Sequence, residues 1–206
     1  MIRLLRPLLA PAVRKVLRGR FSPLELRRVL DDAFADYEER RAGLPKEKEA
    51  SARMMVRFAA LTASFYRTLV ARQIPEAEAR RLTADVTWLI YEKMATLPWA
   101  IARLTETTPY ARLRRATQAF RRFPFGPPGY DMVDVPAPPD VVAFDVRRCP
   151  VAEYFQAEGL SPVCVDAWCN LDIPLATKWG ARLERTGTLA QGAEQCDFRW
   201  RLERSP

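Results

Sequence analysis

The chain has 206 residues, 49% of them hydrophobic and 28% charged, a balance that supports a buried core and excludes a wholly disordered ground state. Its 33 Lys and Arg against 25 Asp and Glu leave a net charge of +8, yet the basic residues are spread among acidic ones and no nucleic-acid motif accompanies them, so no nucleic-acid partner is expected. No residue is histidine, which excludes Ser-His-Asp and Cys-His nucleophile pairs, a histidine general base and every histidine metal site.

The chain opens MIRLLRPLLAPAVRKVLRGRF, in which Leu4, Leu5, Leu8, Leu9, Val13, Val16 and Leu17 share one face beside basic residues. The face suits either a first helix docked on the body or peripheral contact with an anionic membrane through residues 1–20. Arg3, Arg6, Arg14 and Lys15 interrupt the apolar run and no small-residue cleavage site follows, so no secretory signal is read. A cytoplasmic, thiol-reducing setting is expected, with peripheral membrane contact as its alternative form, and no run of about 18 apolar residues predicts a spanning helix.

Ser22-Pro23-Leu24-Glu25 is a capping box with proline at the first helical position, and Leu26, Val29, Leu30, Ala33, Phe34 and Tyr37 follow at helical spacing up to Gly43-Leu44-Pro45. A second helix is predicted from Lys46 to Arg72, with Met54, Met55, Phe58, Leu61 and Phe65 on its core side. A third spans about Pro75 to Met94, separated by Pro98 from a continuation through Leu104, and Thr108-Pro109 begins a short basic helix that ends near Phe123-Pro124. Residues 1–124 are thus read as a helical region. The segment FGPPGYDMVDVPAPPD, residues 125–140, reads as an extended Pro-rich connector.

Residues 141–206 are read as an α+β region forming one unit with the helices. VVAFDVRR has strand composition, and Pro150 to Glu158 is a short helix ended by Gly159. Ser161-Pro162 opens another helix carrying CVDAWCNLD, with Pro174 bending or ending it. The remainder forms a hairpin turning near Gln191-Gly192, where Cys196, Phe198, Trp200 and Leu202 alternate with charged residues. The fold class is therefore α+β, a helical N-terminal half followed by a small antiparallel sheet packed with two helices.

Without histidine, and without a glycine-rich phosphate loop, the available chemistry is that of thiols, carboxylates, guanidinium groups and amines. The four cysteines, Cys149, Cys164, Cys169 and Cys196, all fall in the last third. A thiolate acts without histidine if a cation or helix N-terminus lowers its pKa, and a neighbouring carboxylate can accept the proton or position water. On a continuous helix Cys169 and Asp172 share nearly one side, while Cys164 and Cys169 are about 140° apart and do not act together. Cys164, between two valines, reads as a small buried hydrophobe. Asp172 also fits a helix cap, and Cys149 and Cys196 also fit ordinary core. No CxxC-like pair predicts a structural zinc site.

The C-terminal third nevertheless resembles the L-2-amino-thiazoline-4-carboxylic acid hydrolase family. The matching elements are Cys149-Pro150, Cys169-Asn170-Leu171-Asp172, Arg185-Thr186-Gly187-Thr188-Leu189 with Gly192, and Cys196-Asp197-Phe198-Arg199-Trp200. The resemblance implies an enzyme that hydrolyses a cyclic amidine in a small carboxylated substrate, with no cofactor. Carried over by motif, Cys169, Asp172, Cys196 and Cys149 are the candidate catalytic residues. Cys169 or Cys196 would attack the amidine carbon while Asp172 relays the proton, and Arg182 or Arg185 would hold the substrate carboxylate. Two other classes compete: a soft-metal or cofactor binder using Cys149, Cys169 and Cys196, and a membrane-surface accessory protein using residues 1–20.

Overall fold

The computed structural model describes residues 6–203. Helix α1 (Arg6–Val16) buries Val13, and Leu17 just beyond it, against the helical body. Leu4 and Leu5 of the expected apolar face lie outside the described residues, as does the side chain of Leu8. Helix α2 (Pro23–Arg40) starts as its capping box dictates: the Ser22 hydroxyl accepts the Glu25 N–H at 3.3 Å, and the Glu25 carboxylate accepts the Ser22 N–H at 2.7 Å. Its buried residues are Leu26, Val29, Leu30, Ala33, Phe34 and Tyr37, the six that the periodicity places there.

Helix α3 (Ala50–Ala71) packs along α2, and α4 (Glu76–Thr105) runs unbroken through Pro98. The expected division at that proline is absent because tertiary contacts outweigh one lost backbone hydrogen bond. Ala95 and Ala102 are buried on either side of it, and the Trp99 ring stacks on Trp179 at 5.7 Å. Thr108 caps α5 (Pro109–Arg122) by accepting the Ala111 N–H at 3.2 Å, and Leu113, Ala116 and Phe120 face inward. No described helix is long and apolar enough to cross a membrane.

The Pro-rich connector holds a strand that its composition conceals. Strand β1 (Asp131–Asp134) pairs antiparallel with β2 (Val141–Arg148), Asp134 opposite Phe144. Two short helices follow, α6 (Pro150–Ala157) and α7 (Ser161–Ala167), then a single 3-10 turn (Cys169–Leu171) and α8 (Asp172–Lys178). Strands β3 (Ala181–Glu184) and β4 (Cys196–Leu202) complete an antiparallel sheet of order β1-β2-β4-β3. The hairpin connection is a long loop that includes a further 3-10 turn (Leu189–Gln191), ended by Gly192 in the left-handed region at φ 86°.

Two buried clusters result. One is formed mainly by α1–α4 with α6 and α7; the other joins the inner face of the sheet to α5, α8 and the second half of α4. Phe125, Met132, Cys149 and Leu189 pack against both, and a large cavity lies where the clusters meet.

Candidate active site

The cavity measures about 500 Å3. As a dry void it would cost on the order of 10 kcal/mol, taking about 24 cal/mol per Å3, which rivals the whole net stability of a domain. A space of this size is large enough to hold a small molecule. Among the lining residues Phe123, 61% exposed, is the most open to solvent and marks the side on which the cavity meets water.

All four cysteines line it, together with Asp172 and Arg185. Each arrives from a different local device. Cys149 is the N-cap of α6, its Sγ accepting the Ala152 N–H at 3.5 Å. Cys196 begins β4 on the inner face and accepts the Leu189 N–H at 3.2 Å, a contact set by the 3-10 turn that Gly192 terminates. Cys164 lies in α7, and Cys169 starts the 3-10 turn that follows.

That last junction overturns one expectation. Cys164 and Cys169 do not diverge: their sulfurs are 4.0 Å apart. The helix predicted through CVDAWCNLD stops at Ala167, and Trp168 takes φ −136° and ψ −64°, outside helical geometry. The chain then tightens into 3-10 winding, and the phase that would hold the two thiols about 140° apart is lost. Cys164 is buried at 1% exposure, as expected of a small hydrophobe, and is also the hydrogen-bond partner of Cys169.

The four thiols are electrostatically unequal. Burial pushes Cys149 up to about 12 and Cys196 up to about 11. Cys164 is raised far above the ordinary thiol range by its hydrogen bond with Cys169 and by burial. Cys169 alone is lowered, by the hydrogen bond with Cys164 and, against the opposing effect of burial, by the Arg185 guanidinium. Arg185 is held in place by donating to the Cys169 carbonyl at 3.1 Å and to Asn170 Oδ1 at 3.3 Å, with its guanidinium over the Phe198 ring at 5.2 Å.

Asp172, the first residue of α8, is partly buried and borders the cavity. Burial raises its pKa to about 6, although a 2.6 Å hydrogen bond donated by the Tyr91 hydroxyl and the charge of Arg185 both act to lower it. It does not cap its helix with its side chain. A carboxylate of this pKa changes protonation near neutrality, the property general acid–base work needs.

Arg182 does not join the group. It sits on β3 with its side chain 66% exposed and paired with Glu184 at 2.6 Å, on the outer face of the sheet. One residue along a strand reverses facing, and by Arg185 the strand has ended and the chain turns inward. Among the described residues no group of three or more His, Cys, Asp or Glu side chains could hold a metal ion, so Cys149, Cys169 and Cys196 share a cavity without forming a ligand set.

Sequence reading misses three contributors. Tyr91 lies on α4, far from the cysteine motifs, and nothing local signals its bond to Asp172. Tyr130, 2% exposed, lines the cavity with a hydroxyl that has no hydrogen-bond partner. Asp197 accepts from the Thr186 N–H at 2.9 Å, the Thr186 hydroxyl at 2.8 Å and the Gly187 N–H at 3.1 Å, fixing the loop that carries Arg185. The sequence does hold a clue to Asp197: RTGT and CDF stand in order because one latches the other.

Fold and site together define an α+β protein whose helical and sheet halves enclose a thiol-lined cavity with one acidic and one basic side chain at its polar end. The sequence profile of the family described as L-2-amino-thiazoline-4-carboxylic acid hydrolase matches residues 52–200, and the chain belongs to that family. The match extends beyond the C-terminal third to α3, α4 and α5, the helices that build much of the cavity wall. No curated protein matches the chain. Among solved structures, the crystal structure of Fe(II) unliganded H-NOX protein from K. algicida is similar at a TM-score of 0.47 and 7% identity, over 96% of each chain.

Proposed function

We propose that the protein is a thiol-dependent hydrolase of an amidine-type carbon–nitrogen centre, with Cys169 as nucleophile and Asp172 as proton relay. The observation that carries this reading is the inequality of the thiols: the one cysteine whose ionised form is favoured lies at the cavity with Arg185 and near the one carboxylate whose pKa is raised toward neutrality. The Cys169 thiolate adds to the amidine carbon, forming a carbon–sulfur bond, and the displaced C=N electron pair takes a proton from Asp172. The tetrahedral adduct collapses with expulsion of the ring sulfur as a thiolate, which opens the ring, takes a proton from water and leaves the carbon bound to Cys169 as an isothiouronium. Water, deprotonated by the Asp172 carboxylate, then attacks that carbon and releases the Cys169 thiolate. Arg185 favours the thiolate and faces an anionic group on the substrate, as the family name would supply.

L-2-amino-thiazoline-4-carboxylate and related cyclic amidines are the substrates to incubate first, with ring-opened product followed by mass spectrometry. Turnover lost in Cys169→Ser, with a covalent adduct on Cys169 in the wild type, supports the reading. Full turnover by Cys169→Ser refutes it.

A further inference from the structure

The reaction proposed above occupies one end of the cavity and leaves most of its volume without a role. A cavity of about 500 Å3 lies within the range of about 300–1,000 Å3 that holds drug-sized molecules, far more than a single five-membered ring fills. The remaining wall comes from the helical half, including Leu30, Phe34, Met54, Phe58, Phe65 and Ile90. Charged lining residues are confined to Asp172 and Arg185 at the polar end and Arg121, which is paired with Asp134.

The threonines of that wall are no exception. Thr62, Thr83, Thr87 and Thr117 each donate their hydroxyl to a carbonyl one turn back in their own helix, at 2.9, 2.7, 2.8 and 3.0 Å. Their hydroxyl hydrogens are therefore occupied within the helix. Unpartnered polar atoms lie instead at Tyr130 and at the indoles of Trp168, Trp179 and Trp200, all cavity-lining residues. The flexible thioethers of Met54, Met55 and Met94 adapt to a chain that lacks a rigid outline.

We propose that the substrate is an amphiphile, its amidine-type head at the thiols and an unbranched alkyl chain laid along the helical wall. This rests on the hydrolase reading only for the identity of the head; the chain site follows from the wall itself.

The test titrates straight-chain alkanamidines, from hexanamidine to dodecanamidine, into the full chain, followed by tryptophan fluorescence because Trp168, Trp179 and Trp200 line the cavity. Affinity is expected to rise about fourfold per methylene until the chain fills the space. Ala33→Leu, which fills the wall, stops the gain at a shorter chain, and Phe58→Ala, at a partly buried wall position, extends it. Should Ala33→Leu fail to fold, Phe58→Ala decides alone. Affinity independent of chain length, or a limit unmoved by the variants that fold, overturns the proposal. The wild type itself separates the two readings: a chain-length slope without turnover upholds the chain site and removes the hydrolase. Turnover of short cyclic amidines with no slope does the reverse.

Discussion

Replacing Asp172 with asparagine removes a charge and keeps the shape, so it tests directly whether this carboxylate is held in an unfavourable place. The folded protein raises the Asp172 pKa from 3.8 to about 6, so the native state binds the proton more tightly than the unfolded chain does. Stability from this group is fully present below the unfolded pKa and is lost as pH rises through the folded one. The difference of roughly two units corresponds to about 3 kcal/mol of destabilisation above pH 7, an upper figure because the cavity admits some screening. The amide oxygen of an asparagine at this position would still accept the hydrogen bond that Tyr91 donates at 2.6 Å. Asp172→Asn is therefore expected to exceed the wild type in stability by about 1.5 kcal/mol at pH 5 and about 3 kcal/mol at pH 8, while turnover falls by at least about a hundredfold. Urea unfolding of both proteins at the two pH values reads the first quantity. A variant that is less stable than the wild type at pH 8, or a difference that shrinks between pH 5 and 8, refutes the reasoning. The gain in stability with loss of activity is the pattern expected when a site keeps a buried carboxylate for chemistry rather than for folding.

Other outcomes follow from the same geometry. Cys164→Ala removes the thiol hydrogen-bonded to Cys169, so the pH profile of Cys169 alkylation shifts upward and its rate at pH 7 falls several-fold. An unshifted profile would show that the 4.0 Å contact has no electrostatic consequence. Arg185→Ala lowers turnover on the order of a hundredfold, whereas Arg182→Ala, on the exposed face of β3, changes it by no more than about twofold; steady-state kinetics on the two variants decides. Asp197→Ala frees the Thr186–Gly187 backbone, costs about 2 kcal/mol and lowers the melting temperature by about 4–8 °C, with a loss of turnover in which Arg185 is the intermediary.

Elements are legible in the sequence where local chemistry sets them. The Ser22 capping box, the six inward residues of α2, Thr108 before α5 and the alternation from Cys196 to Trp200 all appear in the structure as their spacing dictates. The sequence is least informative where packing overrides local preference. Pro98 does not divide α4, because Trp99 and its alanine neighbours are anchored by the sheet side of the molecule. Strand β1 is hidden among prolines, since four residues paired along β2 leave little pattern. At the site, the motifs locate Cys169, Asp172, Cys196 and Cys149 on one cavity, but the phase of α7 cannot be extended beyond Trp168, so helical spacing inverts the relation of Cys164 to Cys169. The Met and aromatic side of α3 reads as core; Met54, Met55, Phe58, Leu61 and Phe65 also line the cavity, a distinction that periodicity does not carry because a core wall and a pocket wall are equally apolar.

Competitive alkylation measures the inequality of the four thiols without knowledge of the substrate. The native protein is exposed to limiting iodoacetamide at neutral and mildly acidic pH, and the label on Cys149, Cys164, Cys169 and Cys196 is resolved by peptide mass spectrometry. Cys169 is expected to be labelled first, with a midpoint below the ordinary thiol range, while Cys196 and Cys149 react only at high pH. Preferential labelling of Cys196 or Cys149 at neutral pH would contradict the assignment of Cys169 as the nucleophile.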